Sequence, residues 1–130
     1  MTKEWYRQNG YELSTLIDDA TITRAERDVT DAYITPIVGA ATVDETIVER
    51  AVGNLAFLLI LQRTIFATRA GAKTKTGYNS QDADAWAKLQ QEATACDLAL
   101  QVLRHQDGVN ADARVNDICK IYFKTNFFNN

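Results

Sequence analysis

The sequence is poor in the residues from which metal and catalytic sites are usually built. It has one histidine, His105, and two cysteines, Cys96 and Cys119. These three cannot supply the four Cys or His ligands of a structural zinc site. Gly71-Ala72-Lys73-Thr74 lacks the glycine that must directly precede the lysine of a phosphate-binding loop. We therefore expect no catalytic site, no metal and no cofactor.

The chain also lacks an excess of positive charge. Its formal net charge is −3 and its pI is about 5.1. Proteins dedicated to nucleic acid usually carry a basic excess, because much of their affinity comes from neutralising phosphates. The charge balance disfavours such a role, although it leaves room for a local basic loop.

Long apolar runs are absent as well. The longest, Leu55 to Leu61, has seven residues, whereas a membrane-spanning helix needs about 20. Met1 to Tyr6 has no apolar signal-peptide core. We expect a protein that is neither exported by that route nor membrane-spanning, in which Cys96 and Cys119 are buried free thiols.

What the sequence has is helical apolar spacing, which predicts an all-α fold. Thr42-Val43-Asp44-Glu45 fits a capping box, and the helix it opens is predicted to run from Val43 to Ala67. Around Leu55 to Leu61 this helix is apolar on every side, as expected of a central helix with neighbours all around it.

Shorter signals place the other helices around this central one. Trp5 to Ile17 is predicted to be helical with an interruption near Asn9-Gly10, anchored by apolar side chains that include Leu16. A capping box at Thr23 to Glu26 predicts a helix that ends or kinks at Pro36. Arg69 to Asn79 is predicted to be an exposed loop.

A third long helix follows, capped by Asn79 or Ser80 and stopped before Gly108. Its predicted inward face consists of Ala83, Trp86, Ala87, Leu89, Ala93, Cys96, Leu100 and Leu103.

These elements predict one domain over residues 1–130, a small antiparallel bundle of about four to five helices. Residues 1–108 form the helical core, and residues 109–130 form a short helix at Ala111 to Ile118 followed by an extended arm. Four aromatic side chains of the arm are predicted to contact the same domain or a neighbouring subunit: Tyr122, Phe123, Phe127 and Phe128.

A basic cluster formed by Arg63, Arg69, Lys73 and Lys75 has no acid within its span, although the whole chain is acidic. It fits a solvated loop after the end of a helix, where cations are favoured. It also fits contact with an acidic partner surface or with DNA.

The segment from Leu13 to about Leu103 resembles the head–tail connector, or adaptor, proteins of tailed phages. The resemblance lies in Leu16 to Asp19, in Ala25 to Ile34, and in the apolar helix Ala51 to Leu59 that is followed by Arg63 and a polar loop. It implies a structural, non-enzymatic subunit of a phage or prophage that forms a homo-oligomeric ring between the portal and the tail-completion proteins. DNA would pass through the ring, and the subunit would be in the host cytoplasm during assembly and then in the virion.

Two other functions stay open from the sequence. A helical module that binds a ligand or a peptide would have a deep apolar pocket near Phe57 and Trp86. An enzyme would need a cluster of acids with perturbed pKa values in a cleft.

Overall fold

The computed structural model describes the backbone of residues 1–72 and 80–115 and the side chains of residues 1–64 and 86–115. Over these ranges the chain is helical, with no strand, and its order is α1 (Lys3–Gln8), α2 (Asp19–Val29), a π-helical turn (Thr30–Ile34), α3 (Thr35–Val38), α4 (Glu45–Ala72) and α5 (Ser80–Arg104). The predicted all-α bundle is confirmed.

Helix α1 ends just before Gly10, as the sequence indicated, because Gly10 adopts a φ of 87° that other residues rarely take. The predicted helical continuation to Ile17 is wrong, because residues 11–17 form a non-helical segment that contains a turn. Trp5 on α1 packs against α4 at Gly53. A Cβ atom at Gly53 would lie 2.5 Å from the Trp5 ring, so only glycine permits this approach. Trp5 also stacks on Tyr11 with ring centroids 5.9 Å apart, which ties α1 to the segment that follows it.

Helix α2 begins at Asp19, four residues before the first residue of the predicted capping box. Thr23 lies inside α2, and the N-cap is Asp18, whose carboxylate accepts a hydrogen bond from the Thr21 backbone N–H at 2.8 Å. The earlier start places Ile22 on the same buried stripe as Ala25 and Val29. The capping-box prediction for this helix was therefore wrong, because burial of Ile22 and the stronger Asp cap favour the earlier start.

Pro36 does not end the helical segment. The Thr35 backbone N–H bonds to the Thr30 carbonyl, a wider π-type turn directly before the proline. The chain then continues as α3 to Val38 and ends at Gly39, which has a φ of 56°. The helix therefore does not end at Pro36, which was one of the two predicted outcomes, and a π-helical turn interrupts its regular α-helical pattern instead.

Helix α4 is the centre of the fold and packs against both α2 and α5. It begins at Glu45, two residues after the predicted start, and the Asp44 carboxylate accepts from the Thr46 N–H at 2.8 Å. Its buried side chains include Ala51, Leu55, Ala56, Phe57, Leu58 and Ile60. None of the helices in the described ranges combines the length and apolar character needed to cross a membrane.

The end of α4 also differs from the prediction. The helix continues past Ala67 to Ala72, so the first residues of the predicted loop from Arg69 are helical. Alanines are strong helix formers, and Gly71 costs little when it lies next to the end of a helix. The rest of that loop, residues 73–79, lies outside the described residues.

Helix α5 runs in the opposite direction to α4, because Gly108 after α5 lies beside Ala41 before α4. Leu89, Cys96, Leu100 and Leu103 face the core as predicted, whereas Ala87 is exposed. Ala87 lies on the opposite side of the helix from Leu89, because two residues separate side chains by about 200°.

Residues 111–115 after α5 are not helical, contrary to the predicted helix at Ala111 to Ile118. The Asn110 N–H bonds to the Ile37 carbonyl at 2.7 Å, and the Arg104 guanidinium donates to the Ala111 carbonyl. These two bonds hold the segment against α3 and the end of α5, and they use a carbonyl that a new helix would need.

Candidate functional site

The predicted basic cluster is represented among the described side chains by Arg63 alone. Its guanidinium lies 3.1 Å from the Asp28 carboxylate, and both side chains are about half exposed. The backbone of Arg69 is in α4, and Lys73 and Lys75 lie outside the described residues. The acid missing from the sequence around Arg63 is supplied by α2, so Arg63 is partly neutralised.

The predicted aromatic contact residues Tyr122, Phe123, Phe127 and Phe128 lie outside the described residues, as does Cys119. Cys96 is a free, fully buried thiol, as predicted. Burial raises the pKa of this thiol well above its usual range, which keeps it protonated and unreactive. His105 is exposed just after α5, with its Nδ1 2.6 Å from the Gln101 carbonyl oxygen.

An open groove of about 440 Å³ lies beside Phe57, where the segment after α1 meets α5. Its walls include Tyr11, Ala87 and Glu92, and the Lys88 ammonium and the Glu12 carboxylate are 3.5 Å apart beside it. A groove therefore exists near the position expected for a binding module. It is open to solvent and partly polar, unlike the deep apolar pocket that was predicted.

Hydrogen bonds from Tyr6, Tyr11 and Met1, one of them buried and two partly buried, fix the N-terminal segment on the bundle. The Tyr11 hydroxyl donates to the Asn54 side-chain carbonyl at 2.7 Å, and burial raises the pKa of Tyr11 to about 12. The Tyr6 hydroxyl donates to the Glu26 carboxylate at 2.6 Å, and the Met1 amino group lies 2.8 Å from the same carboxylate. These contacts satisfy polar groups that would otherwise be costly to bury.

Glu92 is a carboxylate of the groove with a strongly raised pKa. Burial raises its pKa to about 7, and the nearby Lys88 ammonium opposes that shift only in part. Its buried Oε1 atom has no hydrogen-bond partner within the described part of the chain. Protonated, Glu92 can donate a hydrogen bond; ionised, it places a negative charge beside Tyr11 and Cys96.

From Trp86 onward, where the side chains of α5 are described, its solvent-facing side carries little charge. Of the eight exposed residues from Trp86 to Arg104, only Asp97 is charged, and the partly exposed Lys88 side chain is paired with Glu12. Along this side the exposed residues Gln91, Thr94, Leu98 and Val102 follow one another at helical spacing, and we call them the outer strip. Leu98 is 57% exposed and Val102 is 50% exposed. A helix face in contact with water normally carries charges, so an uncharged and partly apolar face is typical of a contact surface.

Sequence reasoning missed this surface. Leu98 and Val102 were not assigned to either side of α5, and Leu16, expected to be an anchor, is 91% exposed. The helical period contains the signal, because Leu98 lies about 160° around the helix from Leu100 and Cys96, the inward-facing residues two positions away on each side. For Leu16 no such signal exists, because it lies in a turn outside any helix.

In the described ranges no group of three or more His, Cys, Asp or Glu side chains comes together as metal ligands. The surface features of the described part of the chain include the groove beside Phe57 and the outer strip. The groove can accept a polar or basic group, and the outer strip can bury apolar area against another protein surface. Comparison of the chain with protein-family models, with curated proteins and with solved structures finds no match.

Proposed function

We propose that this protein is a structural subunit, a head–tail connector or adaptor that forms a homo-oligomeric ring between the portal and the tail of a phage or prophage. The role is one of assembly, with no catalytic step. The single observation that carries the proposal is the outer strip of α5. It offers Leu98 and Val102 to a partner on a helix whose other side already completes the core.

Two further features support an assembling subunit. The apolar helix α4 is covered on both sides by helices of the same chain, so the subunit can fold before it assembles. The order of segments that resembles the connectors is retained in the fold, with α2, a short connection and the apolar helix α4 that contains Arg63. The resemblance supplies the kind of assembly, and the outer strip supplies a surface for it.

In this function the basic cluster has two candidate contacts. Arg69, Lys73 and Lys75 would face an acidic surface of the neighbouring ring or the phosphates of passing DNA. Arg63 contributes less, because Asp28 already accompanies it.

The experiment mixes the full chain with the portal protein encoded in the same genome and examines the product by electron microscopy and light scattering. We expect a ring of this chain bound coaxially to the portal ring. A chain that remains monomeric with the portal present would refute the proposal. A portal gene close upstream of this one is also expected.

The alternative is a helical module that binds a ligand or a peptide, and one observation favours it: the groove beside Phe57 with the partly buried Glu92 carboxylate. The openness of this groove weighs against a small ligand. A basic peptide would shift the NMR signals of Phe57 and Glu92 under this alternative, and these signals would stay unchanged for a connector.

A further inference from the structure

We propose that the outer strip receives the C-terminal segment, residues 116–130, of the neighbouring subunit. This inference rests on the proposed ring and names the contact that joins one subunit to the next. It combines an exposed surface of the described fold with a segment whose composition complements that surface. Leu98 and Val102 form the centre of the contact on the receiving side.

The first argument is apolar complementarity. From Gln91 to Val102 the outer strip is about 16 Å long, the length of about five extended residues. In an extended backbone alternate side chains share a face, so Phe123 and Phe127, at the two ends of a five-residue stretch, would lie together. Such a face matches the size and the apolar character of Leu98 and Val102, and a buried aromatic side chain is the usual anchor of a protein interface.

The second argument is charge. In the described part of α5 the exposed charged residue is Asp97, while the partly exposed Lys88 ammonium lies three residues before the outer strip and is paired with Glu12. The segment of residues 116–130 contains Lys120 and Lys124 against one acid, Asp117, in a chain of net charge −3. A slightly basic segment is therefore favoured beside Asp97 and would face no cation on the outer strip.

The third argument is reach. Val109, Ala113 and Val115 pack against the core of their own subunit, so the described chain ends beside that core. From that point 15 residues can extend over about 50 Å, well beyond the roughly 14 Å radius of gyration of a domain this size. The segment is long enough to reach a neighbouring copy.

Ring symmetry favours the neighbouring subunit over the segment's own. A ring closes through a heterologous interface in which two different surfaces of each subunit meet. The outer strip and the C-terminal segment are two such surfaces. By contrast, contact between two α5 helices would be two-fold symmetric and would end at a dimer.

The test is disulfide cross-linking between two versions of the full chain. One version carries Leu98→Cys and the other carries Phe127→Cys, with a tag that changes its size, and both carry Cys119→Ser. Cys96 is retained because it is fully buried. After mixing at high protein concentration and mild oxidation, we expect a product that joins the two different chains. Matched variants at Tyr122, Phe123 and Phe128 allow for the register of the segment.

Gln90→Cys is the control for the receiving side, because Gln90 is exposed on α5 but lies off the outer strip. It should give no cross-link with Phe127→Cys. Adding Val102→Glu to the Leu98→Cys chain should lower the yield by at least about tenfold, because the aromatic side chains would then meet a charge. Val102 is exposed, so this change should leave the helical circular dichroism intact.

Three results would overturn the inference. They are a cross-link between two Leu98→Cys chains only, a bond formed only within a chain that carries both cysteines, and no cross-link at any of the four segment positions. The segment contact and the proposed connector function can fail independently of each other. Rings on the portal that survive Leu98→Glu and Val102→Glu would refute the segment contact and keep the connector. A cross-link between chains without any ring on the portal would support the segment contact and refute the connector.

Discussion

At the scale of single residues, Gly53 determines how closely α1 approaches α4. A glycine inside a helix normally lowers stability by about 1 kcal/mol relative to alanine. Here Gly53→Ala would place a Cβ 2.5 Å from the Trp5 ring and displace an indole that also contacts Tyr6 and Tyr11. We expect Gly53→Ala to lower the free energy of unfolding by about 1 kcal/mol, the lower end of the cost of overpacking. Urea denaturation measures it.

The control removes the Trp5 indole, which is what the new Cβ atom would meet. In a Trp5→Ala background the space beside Gly53 is empty, so Gly53→Ala should raise stability, as it does in an ordinary helix. The effect of the same substitution would then change sign. An equal loss of stability in both backgrounds would contradict the packing of Trp5 on α4.

Glu92 should make stability depend on pH between about 4.3, the pKa of an unfolded glutamate, and its raised pKa of about 7 in the fold. The folded state holds the proton more tightly than the unfolded state, so this contribution is complete below the lower value and is lost as pH rises through the upper one. Glu92→Gln should therefore be more stable than the natural chain at pH 8, and the difference should disappear at pH 4. Because Glu92 is partly exposed and screened, we expect a difference on the order of 1 kcal/mol.

Asp97→Asn is the control on the same helix, because Asp97 is exposed. Thermal denaturation at both pH values compares each variant with the natural chain, which cancels the titration of all other groups. A Glu92→Gln variant that gains nothing at pH 8 would mean that the Glu92 carboxylate is well solvated.

At the scale of elements, the start of α2 is where the structure differs from the helix start that the sequence predicted. Asp18 accepts from the Thr21 N–H, whereas Thr23 is exposed within the helix. Asp18→Ala should lower the melting temperature, because it leaves helical N–H groups without a side-chain partner. Thr23→Ala should have little effect or a slightly favourable one, since alanine is the better helix former. A larger fall in melting temperature for Thr23→Ala than for Asp18→Ala would mean that α2 starts at the Thr23 capping box.

The long helices were predictable because their signals are redundant. Helix α4 has apolar residues over many turns, and the sequence of α5 has candidate capping residues, Asn79 and Ser80, before it and Gly108 after it. Local signals were less decisive. Asp18 and Thr23 are both possible N-caps, and the sequence does not decide between them. The π-turn before Pro36 depends on tertiary packing, and no residue type in the sequence predicts it.

The candidate surfaces were harder to predict than the helices. Arg63 appeared unpaired because its acid, Asp28, lies 35 positions away in sequence. The exposure of Leu98 and Val102 depends on which side of α5 meets α4, and the acidity of Glu92 depends on the burial that this packing creates. Surface properties of this kind follow from the assembled fold and not from the residues alone.

At the scale of the whole molecule, the described part has a covered apolar centre and an outer face of α5 that carries little charge. The first feature covers the core with helices of the same chain. The second provides a surface on which buried apolar area could hold another protein. A ring connector needs both properties, because each subunit must persist alone and then repeat the same contact around an axis.

The most direct test of this account is the mass and symmetry of the particle that the full chain forms with the portal protein of the same genome. Electron microscopy with class averaging gives the symmetry, and light scattering gives the mass. The account predicts a closed ring of many copies stacked coaxially on the portal. A portal ring without added density, beside a chain that scatters as a monomer, would contradict it.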